Sequence, residues 1–181
     1  MTTIISKTKR LLLRRFDVSD VDDLTEVLGH PEVMEFSLSG PVGRAAVSQT
    51  IQQFEAHWHT WGFGQCAVVH KADQKVIGYC GLIRFIDIDG QTEDEIGYRL
   101  NRSYWGQGYA TEAVRAIRDY GFTVVGLKRM VSMIDQNNVR SIRVAEKIGL
   151  HYEKDALIEG YVDRIYVIEQ QDQLGLSTSS S

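Results

Sequence analysis

SYWGQGYATEA, residues 103–113, sets two glycines two apart immediately before a run with the composition of a helix. The first amides of a helix have no acceptor within it and lie at the positive end of its dipole. Gly106 and Gly108 carry no Cβ, so a phosphate could close on that backbone, and Thr111 adds a hydroxyl in the first turn. The same spelling also serves as a plain strand-to-helix turn with glycine as punctuation. The rest of the chain has to decide between the two.

Upstream, TKRLLLRRF (8–16) reads as a strand, and DVSDVDDLTEVLG (17–29) as a helix capped by Asp17 or Ser19 and stopped by Gly29 and Pro31. Val47, Ile51, Phe54, Trp58 and Trp61 recur at helical spacing, and GFG (62–64) ends that second helix. From Gln65 the period becomes two. QCAVVH (65–70), VIGYCGLIRFID (76–87) and EDEIGYRLN (93–101) form an antiparallel meander. Downstream, Ala110, Ala113, Val114, Ile117, Gly121 and Val124 share one helical face. LKRMVSMID (127–135) is then a strand, NNVRSIRVAEKIG (137–149) a helix, and HYEKDALIEGYVDRIYVIEQ (151–170) a hairpin. The order gives an α+β fold with a mixed sheet in one domain, residues 1–170, followed by a loose tail, residues 171–181.

Within DQNNVRSIRVAEKIGL (135–150), Asn138 sits where an N-cap belongs, and Ser141 lies in the first turn. Gly149 suits the helix end. Local capping explains each residue. Taken together, YWGQGYATEA and the later NxxSxxxxxKxGL resemble the GNAT superfamily of acyl-CoA-dependent N-acetyltransferases, most closely its branch of ribosomal-protein N-terminal acetyltransferases. TKRLLLRRFDVSDVDDL, VIGYCGLI and DEIGYRL resemble the same branch, so the likeness runs from about residue 8 to residue 170. It implies about seven mostly antiparallel strands and about four helices. The fourth and fifth strands on this reading, EDEIGYRLN and LKRMVSMID, splay apart to admit acetyl-CoA as cosubstrate.

By that resemblance the pyrophosphate rests on backbone amides from Gln107 through Gly108, Tyr109 and Ala110 to Thr111, with Gly106 opening the loop. The backbone of Tyr98, Arg99 and Leu100 pairs with the pantetheine amides, as an added strand would. Asn138 reaches the cofactor arm, besides or instead of capping. Trp105 stands where the family commonly has Gln or Arg, so it makes no charge contact.

Transfer to an amine needs a neutral amine, a stabilised oxyanion and a departing thiolate. Glu95, on the strand face of Gly97 and Arg99, is the expected base; otherwise it belongs to the solvated run TEDE (92–95). The superfamily's usual tyrosine acid is replaced by Ala145. Ser141 then serves the leaving sulfur, or no residue does. Met34, Glu35, Phe36 and Trp58 are expected acceptor contacts by resemblance, although Phe54, Trp58 and Trp61 also read as core.

The net charge of -4 and pI near 5.7 do not suggest a nucleic-acid partner, and the 43% hydrophobic content is that of an ordinary globular chain. Cys66 and Cys80 lie in apolar strands without a CxxC pair, and the N-terminal apolar run is too short for a signal or a membrane span. A cytoplasmic location is expected. His57 and His59 lack metal-ligand spacing, so no metal is assigned. The acceptor is a small-molecule or peptide amine, and a homodimer is compatible with the family. Two alternatives stand beside the enzyme reading. A non-catalytic CoA-binding module would use the same motifs. A Rossmann-type oxidoreductase, with Asp135 as its ribose acid, is opposed by the antiparallel meander.

Overall fold

The computed structural model describes residues 3–88, 90–158 and 160–171. Residues 172–181, nearly all of the expected tail, lie outside that range. The described residues form β1 (Ile4–Lys7), β2 (Leu11–Arg14), α1 (Val21–Leu28), α2 (Arg44–Trp61), β3 (Gln65–His70), β4 (Lys75–Ile88) and β5 (Gln91–Leu100). There follow α3 (Tyr109–Tyr120), β6 (Arg129–Asp135), α4 (Val139–Lys147), β7 (His151–Ile158) and β8 (Tyr161–Glu169). They make one eight-stranded sheet in the order β1-β2-β3-β4-β5-β6-β8-β7. Every neighbouring pair is antiparallel except β5 and β6.

The sheet has eight strands rather than about seven because Ile4–Lys7, upstream of the run expected as the first strand, forms an additional strand that pairs with Leu11–Arg14 as a hairpin. Thr8 closes its turn: the Thr8 amide donates to the Leu11 carbonyl (3.0 Å), and the Thr8 hydroxyl accepts from the Leu11 amide (2.9 Å). Before α1, Asp17 caps a short 3-10 turn and forms a reciprocal capping box with Asp20. α2 ends on Gly62 in the left-handed region, φ 75°. α3 stops at Tyr120, earlier than its apolar pattern runs. A widened π turn, Gly121–Val125, follows it and leaves Val124 68% exposed instead of on the buried face.

α3 and α4 pack on one face of the sheet. Val114 and Ile117 meet Leu82, Ile96 and Met130 there, with Ile142 and Ala145 alongside. On the other face, Leu24 and Val27 of α1 join Val47 and Ile51 of α2 over Ala67 and Val69 of β3. Each large side chain fully buried this way contributes roughly 1.5–3 kcal/mol. Along β5, Ile96 and Leu100 belong to the α3/α4 core, so Glu95, Gly97 and Arg99 face the α1/α2 side.

The parallel junction carries the architecture's main consequence. β5 and β6 are in register only at Glu95 and Val131. Just beyond, the Ser132 hydroxyl spans the strands and donates to the Ile96 carbonyl (2.9 Å). Further along, β5 from Gly97 to Leu100 has no ladder partner on β6. The sheet opens there into a wedge.

Candidate active site

A cleft of about 1220 Å³ occupies the wedge and reaches both faces of the sheet. Its first wall is the loop from β5 into α3. Gly106 and Gly108 both take positive φ, 74° and 82°, a conformation that L side chains rarely adopt. The first helical hydrogen bond of α3 runs from the Glu112 amide to the Gly108 carbonyl (3.0 Å), so the amides of Tyr109, Ala110 and Thr111 precede it. All three residues line the cleft, as do Gly106 and Gly108. Gln107 does not line it. Its backbone carbonyl accepts from Arg10 (2.9 Å) and its side-chain Nε2 donates to the Ser103 carbonyl (3.1 Å).

Several side chains hold this loop from behind. The Arg10 guanidinium lies 4.1 Å from the Tyr109 ring centre and pairs with Glu112 (2.7 Å). His70 joins Tyr109 through Nε2 (3.0 Å) and Asp73 through Nδ1 (2.7 Å), and Asp73 also accepts from the Tyr104 hydroxyl (2.6 Å). Those hydrogen bonds from Tyr104 and His70 hold the Asp73 carboxyl below its ordinary range. Trp105 lies between two guanidiniums, Arg102 at 4.9 Å and Arg140 at 4.6 Å, and its indole N–H donates to the Leu100 carbonyl (2.8 Å). Beside the loop, a second groove runs along α3 from Gly108 and Thr111 to Arg10, Arg115 and Lys147. Glu112 and Asp119 line it as well, two carboxylates among the three cations. Their long separation in sequence hid that grouping.

Glu95 stands in the throat of the wedge. Its Oε1 accepts from the Met133 amide of β6 (3.3 Å), where a regular parallel ladder would have placed a carbonyl. Burial pushes its carboxyl up to about 7. The Met133 amide works against that rise, Asp163 on β8 adds to it, and Arg99 opposes it. Asp163 is itself raised, first by burial and then by Asp135, its directly opposed residue on β6. Spacing gave no sign of Asp163, because only the β6–β8 pairing brings it to the cleft.

Ser141 lines the cleft from α4, on the opposite face of β5. Its hydroxyl lies 3.2 Å from the Tyr98 hydroxyl, whose proton is held more tightly than usual because of burial. Tyr98 thus brings a phenol beside Ser141 from another element, where α4 itself has Ala145. Asn138 lines the cleft and also caps α4, its side-chain oxygen accepting from the Ser141 amide (3.2 Å).

The four expected acceptor contacts separate. Glu35 and Phe36 line the cleft, and Glu35 pairs with Arg140 across it (3.1 Å). Met34 and Trp58 do not line it. Met34 is 3% exposed within the α1/α2 core, and Trp58 is 7% exposed with its indole N–H donating to the Gln65 carbonyl (2.9 Å). His57 is likewise structural: Nδ1 meets the Phe63 carbonyl (2.8 Å) and Nε2 accepts from the Arg84 amide (3.0 Å).

The residues present fit an acyl-CoA. A glycine loop with three amides free of helical partners would take the pyrophosphate, and the unpaired edge of β5 would pair with the pantetheine arm. Residues 10–151 match the family described as "Acetyltransferase (GNAT) domain". The chain is 36% identical over 148 residues to the uncharacterised protein YkkB of Bacillus subtilis, covering 81% of this chain and 85% of that one. It is 31% identical over 155 residues to an uncharacterised N-acetyltransferase of Bacillus licheniformis, covering 85% of each. Its fold is similar to that of RimL, a ribosomal-protein alpha-N-acetyltransferase solved with coenzyme A. That match has a TM-score of 0.76 at 21% identity, over 92% of this chain and 97% of the other.

Proposed function

The chain belongs to the GNAT acetyltransferase family, and from that premise we propose that it acetylates the α-amino group of a peptide or protein N-terminus by direct attack in a ternary complex. It is an N-acetyltransferase, and acetyl-CoA is its acetyl donor. The observation that carries the finer reading is the throat carboxylate Glu95, pushed up to about 7 and facing the cleft. A base of that strength suits an α-amine, whose ordinary pKa is about 7.7–8.0, far better than a lysine-like amine near 10.4.

In this reading Glu95 takes the proton of the attacking amine, the N–C bond forms and the C–S bond breaks. Ser141 donates a hydrogen bond to the departing sulfur on the opposite face of β5, and Tyr98 supports that hydroxyl. The amides of residues 109–111 fix the pyrophosphate, with Gly106 and Gly108 keeping the approach open. Glu35 and Phe36 border the acceptor entrance. A cytoplasmic location is part of the proposal; the free, buried thiols of Cys66 and Cys80, facing each other across β3 and β4, agree with a reducing compartment.

The test is release of CoA thiol from acetyl-CoA with two probes at neutral pH, an alanine tetrapeptide with a free N-terminus and spermidine. Preferential turnover of the tetrapeptide is expected. Turnover of spermidine alone would replace the peptide N-terminus by a polyamine as acceptor.

A further inference from the structure

Gly97 lies just past the paired point of β5 and β6, and two polar atoms flank the space above it. A Cβ there would stand 3.3 Å from Gln65 Nε2 on β3 and 3.6 Å from Glu95 Oε2. Glycine leaves that space to the cleft, which both side chains line. The placement of Gln65 is built. Its backbone carbonyl accepts from the Trp58 indole (2.9 Å), and it pairs in register with Gly81, where a Cβ would come within 2.5 Å of the Gln65 Cα. The Gln65 side-chain oxygen is buried without a donor, which is costly. Turning the amide over would set that oxygen against the Glu95 carboxylate, so the nitrogen stays toward Gly97. Arg99, two residues on, shares this face, lines the cleft and stands opposite Tyr79 in register. Its guanidinium pairs with no carboxylate among the described residues. The carboxylates of Asp135 and Asp163 lie on the other side of Glu95, on β6 and β8. The cleft is therefore polarised, with donors toward β3 and acids toward β8.

We propose that Gln65 Nε2 and the Arg99 guanidinium form an oxygen-binding subsite beside Glu95, which takes the carbonyl oxygen next to the acceptor's amine. The inference rests on the reading of Glu95 as the base, and it narrows the acceptor to an α-aminoacyl group. In such a group the amine and the oxygen sit on adjacent carbons. Glu95 can receive the amine while the two donors receive the oxygen. A polyamine or a lysine side chain has no oxygen there, so it leaves both donors unpaired. A polyamine's next amine, charged at neutral pH, would also be set against Arg99. The subsite thus selects the α-amine by the group attached to it as well as by its basicity.

The experiment compares wild type, Gln65→Met and Arg99→Met on the alanine tetrapeptide and on its analogue with the first carbonyl oxygen replaced by sulfur. Sulfur is the poorer hydrogen-bond acceptor and leaves the amine in place. Wild type is expected to favour the oxygen peptide by about tenfold in kcat/KM. Each variant is expected to lose about tenfold on the oxygen peptide and little on the sulfur one, with the KM for acetyl-CoA unchanged. A merely structural role for either side chain would lower both peptides alike. Equal losses on the two peptides would therefore overturn the inference, as would a wild type indifferent to sulfur, a comparison that needs no variant to fold. Free alanine, whose carboxylate offers the same oxygen, distinguishes the source of the group. Turnover slower than the peptide's supports a peptide N-terminus at the subsite, and faster turnover supports a free amino acid there. Full activity in Glu95→Gln would instead remove the base beneath the inference, while the oxygen preference is read separately.

Discussion

In the proposed mechanism Glu95 concentrates the chemistry in one ionisation. Its carboxyl must be charged to accept a proton, so the turnover number should rise with pH through about 7, the value to which burial pushes it. Glu95→Gln is expected to remove that limb and lower kcat by roughly 10²-fold or more, as a pH series of initial rates would record. Stability moves the other way. The native pKa lies above the unfolded one, so ionising Glu95 weakens the fold progressively from its ordinary range up to about pH 7. Thermal melts should therefore show Glu95→Gln gaining on wild type at pH 8 and not at pH 4. For the leaving group, Ser141→Ala should reduce kcat while calorimetric affinity for acetyl-CoA stays constant; Tyr98→Phe should do the same more weakly. Unaltered turnover in both variants, with chemistry limiting, would exclude that hydroxyl pair. Glu95 could be singled out from the sequence by its place on a strand and the need for a base, and Ser141 by the position a family resemblance marks. Trp58 was assigned to the acceptor by resemblance alone, while its helical spacing already described the core position it occupies.

Among the elements, the glycine loop and the β5–β6 junction determine whether a cofactor fits. Gly108 holds φ 82°, so Gly108→Val combines backbone strain with a side chain at the edge of the cradle. Calorimetry should record a loss of acetyl-CoA affinity of tenfold or more, and retained affinity in a folded variant would count against the cradle. At the junction, Ser132→Ala leaves the Ile96 carbonyl without its partner and should cost about 1–2 kcal/mol in urea unfolding. Element order was legible because helical and strand periods alternate cleanly from α2 onward. The N-terminal hairpin was hidden, since its turn depends on the Thr8 hydroxyl and carries no glycine or proline. The π turn after α3 was hidden as well: the apolar pattern continues to Val124 while the backbone widens at Gly121.

At the scale of the whole molecule, one register sets the arrangement. A single paired point between β5 and β6 opens the sheet. The glycine loop lies at one wall of that opening, Glu95 in its throat and Ser141 across β5. The local motifs implied this wedge only through resemblance, because no spacing within either strand says where a parallel pair stops. The ion pair of Glu35 with Arg140 and that of Glu32 with Arg102 then tie the α1–α2 connection to the cofactor side. Both are exposed, so they steer geometry more than they stabilise it. The most direct test of the account is a competition within one molecule. A peptide with a free N-terminal alanine and an internal lysine is incubated with enzyme and acetyl-CoA at pH 7, and the acetylated position is read by fragment mass spectrometry. Acetyl on the α-amine, with the lysine side chain unmodified, is the predicted result. Acetyl on the lysine, or on neither amine, would contradict the proposed acceptor.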